Sequence, residues 1–295
     1  GLGILPSVPY DHDECMINYT SGTTGRPKGV IVTHANILIQ NGFIHGIEWR
    51  LSNEDVFLVA TPLAHRTGMG RLANALTLGA TIVVMRSFDA ALAIDLIEKH
   101  RCSATLAVPT MVAALIEAQA QNPRDTSSLR LIAHGASPIA TEVLRRAHEE
   151  FANAELLHLY GATEPAPLVT GLRHAENLIG TSRGKSVGNQ SLGVSLRIAA
   201  DAGEAGEVLV NGPNVMQGYW NKPDQTADAL QDGWYRTGDI GYLDDEGYLY
   251  LVDRAKDMII SGGENVYCSE VEEVIYQHPN VLEATVFGIP HDQLL

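Results

Sequence analysis

Three cysteines in 295 residues, at positions 15, 102 and 268, are too few and too scattered for a disulfide framework or a CxxC metal pair. No cysteine is assigned a catalytic role, and a reducing, cytoplasmic location is the default expectation. Base is scarce as well: 20 Lys and Arg stand against 35 Asp and Glu, a formal net charge of −15. That balance argues against a nucleic-acid surface or a polybasic membrane anchor, both of which need positive charge. No apolar run approaches the ~20 residues of a bilayer span, and no charged-then-apolar signal segment opens the chain, so no integral membrane segment is expected. Internal repeats and low-complexity stretches are lacking too. What is present is 45% hydrophobic content, ample for a buried core in about two domains.

The most informative stretch is Tyr19-Thr20-Ser21-Gly22-Thr23-Thr24-Gly25-Arg26-Pro27-Lys28-Gly29-Val30. Glycines let backbone N–H groups approach an anion, hydroxyls donate further hydrogen bonds, and Arg26 and Lys28 supply charge. The run suits a phosphate tail but is not a Walker loop, because Pro27 precedes Lys28 and Gly29 follows it. A kinase or GTPase reading therefore fails. The plain alternative is a polar strand-to-helix turn.

From Met16 to Glu164, apolar and β-branched runs at 56–60, 81–85, 104–108, 129–133 and 156–160 read as strands. Stretches with three-to-four spacing at 35–49, 90–100, 110–121 and 139–151 read as helices, so the pattern predicts an α/β fold with a doubly covered, mostly parallel sheet. Ligands of such sheets sit at the strands' carboxyl ends, where the phosphate run, Gly135-Ala136-Ser137-Pro138 and Tyr160 to Glu164 can converge. After Gly184 short strands and turns predict a β-rich subdomain, with a hairpin about Asp244-Asp245-Glu246-Gly247. Beyond Arg254 the chain reads as the start of a small α+β domain, with Ser269 and Glu272 as a capping box. The expected division is 1–184, 185–255 and 256–295.

The phosphate run resembles the signature loop of the acyl- and aryl-CoA ligases of the adenylate-forming superfamily. Tyr160-Gly161-Ala162-Thr163-Glu164, Tyr235-Arg236-Thr237-Gly238-Asp239, Asp253 to Ile259 and Ser261 to Tyr267 look like its later motifs and occur in its order. The resemblance implies a two-step reaction: a small carboxylic acid and ATP give an acyl-adenylate and pyrophosphate, and CoA then displaces AMP to give a thioester. The first step needs no base, since a carboxylic acid is ionised at neutral pH; positioning and positive charge must do the work.

By the same resemblance, Thr20, Ser21, Gly22, Thr23, Thr24, Gly25 and Lys28 hold the β- and γ-phosphates, Glu164 binds Mg²⁺, and Thr163 donates to the α-phosphate. A solvated loop carboxylate is the plain alternative for Glu164. Asp239 is implied to anchor the ribose, Arg254 to reach ribose or phosphate, and Gly135, Ala136 and Ser137 to wall the adenine and acyl sites. Tyr160, Gly161 and Ala162 complete the nucleotide and acyl contacts, with Tyr160 stacking on adenine or simply buried at a strand end. His65 matches a position at the acyl and CoA boundary, with a structural histidine as the alternative. Lys256 matches the hinge between two domain orientations, and Ser261, Gly262 and Gly263 the pantetheine tunnel.

Departures from the family pattern are Arg66 and Thr67, Asn189-Gln190 in place of Lys-Pro, and Cys268 in place of proline. Arg66 is expected to be exposed to solvent, although a buried Arg66 facing the acyl pocket would pair a second carboxylate on the substrate. A nonribosomal adenylation domain loading another thiol and an inactive remnant are the competing readings; Ile259-Ile260-Ser261-Gly262-Gly263-Glu264-Asn265 favours the CoA ligase. The chain does not open on methionine and carries no counterpart of the family's C-terminal adenylation lysine, so a piece of a longer protein is expected. Neither the acid nor an oligomeric state is set by the sequence.

Overall fold

The computed structural model describes residues 13–20, 27–137, 139–175, 178–201, 203–254, 259–261, 264–276, 281 and 284–289. The first described elements are the antiparallel pair β1 (Glu14–Thr20) and β2 (Lys28–Thr33), whose register sets Thr20 opposite Lys28. The two ends of the phosphate run are thus cross-strand partners, not a strand and the helix after it. Thr33 then caps α1 (His34–Ile37): the Asn36 amide N–H donates to Thr33 Oγ1 at 3.2 Å, and the Thr33 N–H to Asn36 Oδ1 at 2.9 Å. The predicted helix over 35–49 is interrupted by a π-helical stretch, Leu38–Ile44, before α2 (His45–Glu48). A local change to i→i+5 bonding leaves no mark on apolar spacing, which is why the sequence reads as one helix.

The body of the molecule alternates β3 (Val56–Val59), α3 (Arg66–Leu78), β4 (Thr81–Val84), α4 (Ala90–His100), β5 (Ala104–Ala107), α5 (Pro109–Gln121), β6 (Leu131–Gly135), α6 (Thr141–Glu150) and β7 (Glu155–Tyr160). These strands are parallel, and the antiparallel β8 (Thr170–His174) and β9 (Asn189–Gln190) extend one edge to give the order β4-β3-β5-β6-β7-β8-β9. Alternation along the strands divides the core. Leu58, Ile132 and Leu156 pack with Ile94, Ile97, Leu115 and Leu144 under α4, α5 and α6. Phe57, Leu131, Ala133 and Leu157 pack on the other face against Ile44 and Trp49. Both faces are covered, as the βαβα pattern predicted. Helix α3 was not predicted, because Gly68 and Gly70 argue against a helix interior. Gly68 is required by packing: a Cβ there would lie 2.3 Å from the Pro62 carbonyl oxygen.

The β-rich part consists of β10 (Ser195–Ala199), β11 (Gly206–Asn211), β12 (Gly218–Tyr219), α7 (Pro223–Ala229), β13 (Leu230–Gln231), β14 (Trp234–Leu243) and β15 (Leu249–Arg254). Strands β10, β11, β14 and β13 form an antiparallel sheet with β15 on β14, while β12 joins β2. The 244–247 turn is where it was predicted: Asp244 Oδ1 accepts from the Glu246 and Tyr248 N–H groups, and Gly247 has φ 82°. Strands β16 (Ile259–Ser261) and β17 (Glu264–Val266) and helix α8 (Cys268–Tyr276) follow. Helix α8 begins one residue before Ser269, and the Glu272 carboxylate accepts from the Val286 N–H at 2.8 Å. Among the described residues no helix is long and apolar enough to cross a membrane.

Candidate active site

Pairing of β12 with β2 brings distant side chains together. Lys28 Nζ lies 4.2 Å from the centre of the Tyr219 ring, and the Tyr219 hydroxyl donates to Glu164 Oε1 at 2.9 Å. Glu164 is only 8% exposed, so it is not the solvated loop carboxylate that its type suggests. The Met216 N–H holds the Glu164 carbonyl at 2.7 Å, tying the loop after β7 to the approach to β12. Burial, and then the charge on Glu164, push the Tyr219 phenol far above its ordinary range, so it remains a donor. Among the described residues no group of three His, Cys, Asp or Glu is placed to hold a metal. A single buried carboxylate fits Mg²⁺, which takes one or two protein oxygens and draws its other ligands from phosphate and water.

A second cluster forms where β7 meets the β-rich sheet. The register of β14 and β15 sets Asp239 opposite Arg254, with Arg254 Nε 3.4 Å from Asp239 Oδ1. The Tyr160 hydroxyl donates to Asp239 Oδ2 at 2.7 Å. Thr237 fixes the turn before it, donating to the Val208 carbonyl at 2.7 Å and accepting from the Asp239 N–H at 3.0 Å, with Gly238 at φ 74°. Burial raises the Asp239 carboxyl, against the lowering by Tyr160 and Arg254. Tyr160 is itself pushed well up, chiefly by burial. Its hydroxyl is thus committed to Asp239, a partner that sequence reasoning did not foresee.

Close main-chain packing explains the small residues at the strand ends. A Cβ on Gly135 would lie 2.4 Å from the Leu159 carbonyl oxygen, and one on Gly161 only 1.8 Å from that of Pro167. Ala136 adopts φ 73°, a strained position for a residue with a side chain, and Ser137 after it is exposed. Ala162 and Thr163 are half-buried, and the Thr163 carbonyl accepts from the Ala166 N–H at 3.2 Å. His65 is exposed and caps α3, its Nδ1 accepting from the Thr67 N–H at 3.3 Å and meeting the Thr67 hydroxyl. Thr20 Oγ1 points back to the Lys28 carbonyl at 3.5 Å.

The expectation of a solvent-exposed Arg66 is overturned. Arg66 is 2% exposed, and its Nη2 donates to Asn41 Oδ1 at 3.2 Å and to the Ala166 carbonyl at 2.9 Å. Gln40, Asn41, His45, Arg71 and Asn74 are buried in the same region, and sequence reasoning singled out none of them. A signal was available: residues 56–88 hold three arginines and no carboxylate. Ser21, Gly22, Thr23, Thr24, Gly25, Lys256, Gly262 and Gly263 lie outside the described residues, and Ser261 is described only as backbone in β16.

Glu164 and Lys28 thus meet at Tyr219, an arrangement suited to a nucleotide's phosphates and their cation. Residues 5–220 match the AMP-binding enzyme family, and the chain belongs to it, in its acyl-CoA ligase branch. It is 38% identical over 295 residues to a feruloyl-CoA synthase of an Amycolatopsis species, covering 97% of this chain and 58% of the relative. A long-chain-fatty-acid–CoA ligase of Bacillus subtilis (strain 168) is 34% identical, with 97% and 52% covered. Among solved structures, o-succinylbenzoate coenzyme A synthetase of Bacillus subtilis, in complex with ATP and magnesium ion, superposes with a TM-score of 0.86 at 34% identity, covering 97% of this chain and 59% of that one. The chain therefore spans a little over half the length of these relatives.

Proposed function

We propose that the whole protein joins a carboxylic acid to CoA at the expense of ATP, by way of an acyl-adenylate. The observation that carries this reading is the Lys28–Tyr219–Glu164 contact, which sets a phosphate-type cation over the face of one aromatic ring and a buried anion at its hydroxyl. Lys28 and the hydroxyls beginning at Thr20 neutralise the transferring phosphates, so that one anion can approach another. Glu164 would hold Mg²⁺, which supplies charge neutralisation at the phosphate oxygens when bound. Thr163 donates to the α-phosphate, Asp239 takes the ribose hydroxyls with Arg254 beside it, and Gly135, Ala136, Ser137 and Gly161 leave room for adenine and the acyl group. His65 borders the acyl and CoA sides. The remaining roles follow the resemblance: 256–295 opens a second domain turning about Lys256, and Ser261, Gly262 and Gly263 line the thiol's approach. The substrates named for the relatives, feruloyl and long-chain fatty acyl groups, mark the breadth of acids this scaffold takes.

The test is incubation of the full-length protein with ATP, Mg²⁺, CoA and a mixed pool of fatty, aryl and dicarboxylic acids, followed by mass spectrometry. Acyl-CoA is the expected product. Acyl-adenylate without thioester would transfer the second step to another acceptor, and neither product would overturn the reading.

A further inference from the structure

Arg66 and Arg71 lie on successive turns of α3 and are 2% and 3% exposed. Arg66 Nη2 is engaged by Asn41 and the Ala166 carbonyl, but its Nε and Nη1 have no acceptor, and neither has Arg71 Nε. Arg71 stands over the Trp49 ring at 4.9 Å and reaches the His45 ring nitrogen at 3.5 Å. Among the described residues no carboxylate forms an ion pair with either guanidinium, in a chain that carries 35 acidic residues. Burial lowers Arg66 to about 10 and Arg71 to about 9, the latter also through Arg66, and both still carry charge at neutral pH. Buried cations with no counter-charge and unspent donors are among the costliest arrangements a fold can hold. Such local violations gather at functional sites, where a ligand supplies what the chain withholds.

Position says which ligand. The bond to Ala166 ties Arg66 to the segment from Gly161 to Pro167, so it stands where that segment meets the one carrying His65. These are the two stretches that frame the acyl side of the proposed site. Gly70 lets the helix backbone pack closely against the guanidinium, since a Cβ there would sit only 3.3 Å from Arg66 Nη1.

We propose that Arg66, backed by Arg71, receives a second acidic group at the far end of the acyl substrate, so that the preferred acid is a dicarboxylate rather than a plain fatty or aryl acid. This rests on the ligase reading and narrows its substrate class. A guanidinium already anchored by Asn41 and Ala166 is pre-organised, so its charge-assisted hydrogen bond to carboxylate discriminates against a methyl group in the same place.

The experiment compares kcat/KM of the full-length protein for a graded series of α,ω-diacids and benzene dicarboxylates with that for monoacids of matched length. At least one diacid is expected to exceed its monoacid by about 10- to 100-fold, the range of one charge-assisted hydrogen bond. Arg66→Met should collapse that ratio towards one, and Arg66→Lys should restore part of it. Monoacid preference throughout, or a ratio untouched by Arg66→Met, would overturn the proposal and leave the pair as packing. Thermal melting of the unaltered protein with each acid gives a readout independent of folding in the variants. Stabilisation by a diacid and not by its monoacid supports the site; equal shifts count against it. If no acid is activated at all, the ligase reading fails, and the melting series still decides whether the arginines hold an anion.

Discussion

At the residue scale, Glu164 is a buried carboxylate and Asp239 a half-buried one, and the groups around them separate their roles. Glu164 accepts from Tyr219, a neutral donor, and so keeps oxygen lone pairs for a cation. Glu164→Gln in the full-length protein is therefore expected to lower pyrophosphate release by about 100-fold or more, the scale of losing one charge-stabilising group. Thioester formation from supplied acyl-adenylate should suffer less, and comparing the two assays checks it. Asp239 is held by Tyr160 and Arg254 at both oxygens. Asp239→Ala should chiefly raise the KM for ATP, and Tyr160→Phe, which removes one hydrogen bond of about 1 kcal/mol, should raise it less. Equal kcat and KM in both variants would remove Asp239 from the nucleotide site. Of these contacts the sequence showed Glu164 and Asp239 through their motifs, but not Tyr219, an unremarkable tyrosine until β12 pairs with β2.

At the scale of elements, the ends of β3, β5 and β6 are tied by one ion pair between a buried carboxylate and a partly exposed arginine. Asp55, whose side chain is 5% exposed, accepts from Arg130 Nη2 at 2.7 Å and Nε at 3.0 Å, from Ser103 Oγ at 2.6 Å and from the Ser52 N–H at 2.8 Å. Burial raises its carboxyl, but these donors more than offset that and hold it below the ordinary value of 3.8. Arg130→Met strands the carboxylate and should cost about 1–3 kcal/mol in denaturant unfolding, less than for a fully buried pair because the Arg130 side chain is 37% exposed, with part recovered by adding Asp55→Asn. Five parallel strands and three of the four predicted helices were legible here, because alternation and three-to-four spacing are written locally. The α3 helix was not, since its glycines answer to the Pro62 carbonyl, a tertiary neighbour.

At the scale of the whole molecule, three strands carry a histidine stack through the core. His134 on β6, His158 on β7 and His174 on β8 have ring centroids 4.9 Å, 5.4 Å and 5.8 Å apart. Burial lowers all three from the ordinary 6.5: His158 and His174 to about 4, and His134 well down, with mutual repulsion adding for His134 and His174. Between pH 6.5 and 4 the unfolded chain binds more protons than the folded one, so stability is full above that window and falls as pH drops through it. Each tenfold difference in proton affinity is worth about 1.4 kcal/mol. The urea midpoint is expected to fall between pH 7 and 4.5, and to fall less in His158→Gln; Asp55 acts only below about 4. The sequence alone determined the α/β alternation, the β-rich part and the order of family motifs, because each is written in neighbouring residues. Only the tertiary structure decided that Lys28 and Glu164 share Tyr219, that Tyr160 serves Asp239, and that Arg66 lies inside. Those contacts depend on which distant strands and helices pair, and a side chain's type does not say whether its partner will be water or another part of the chain.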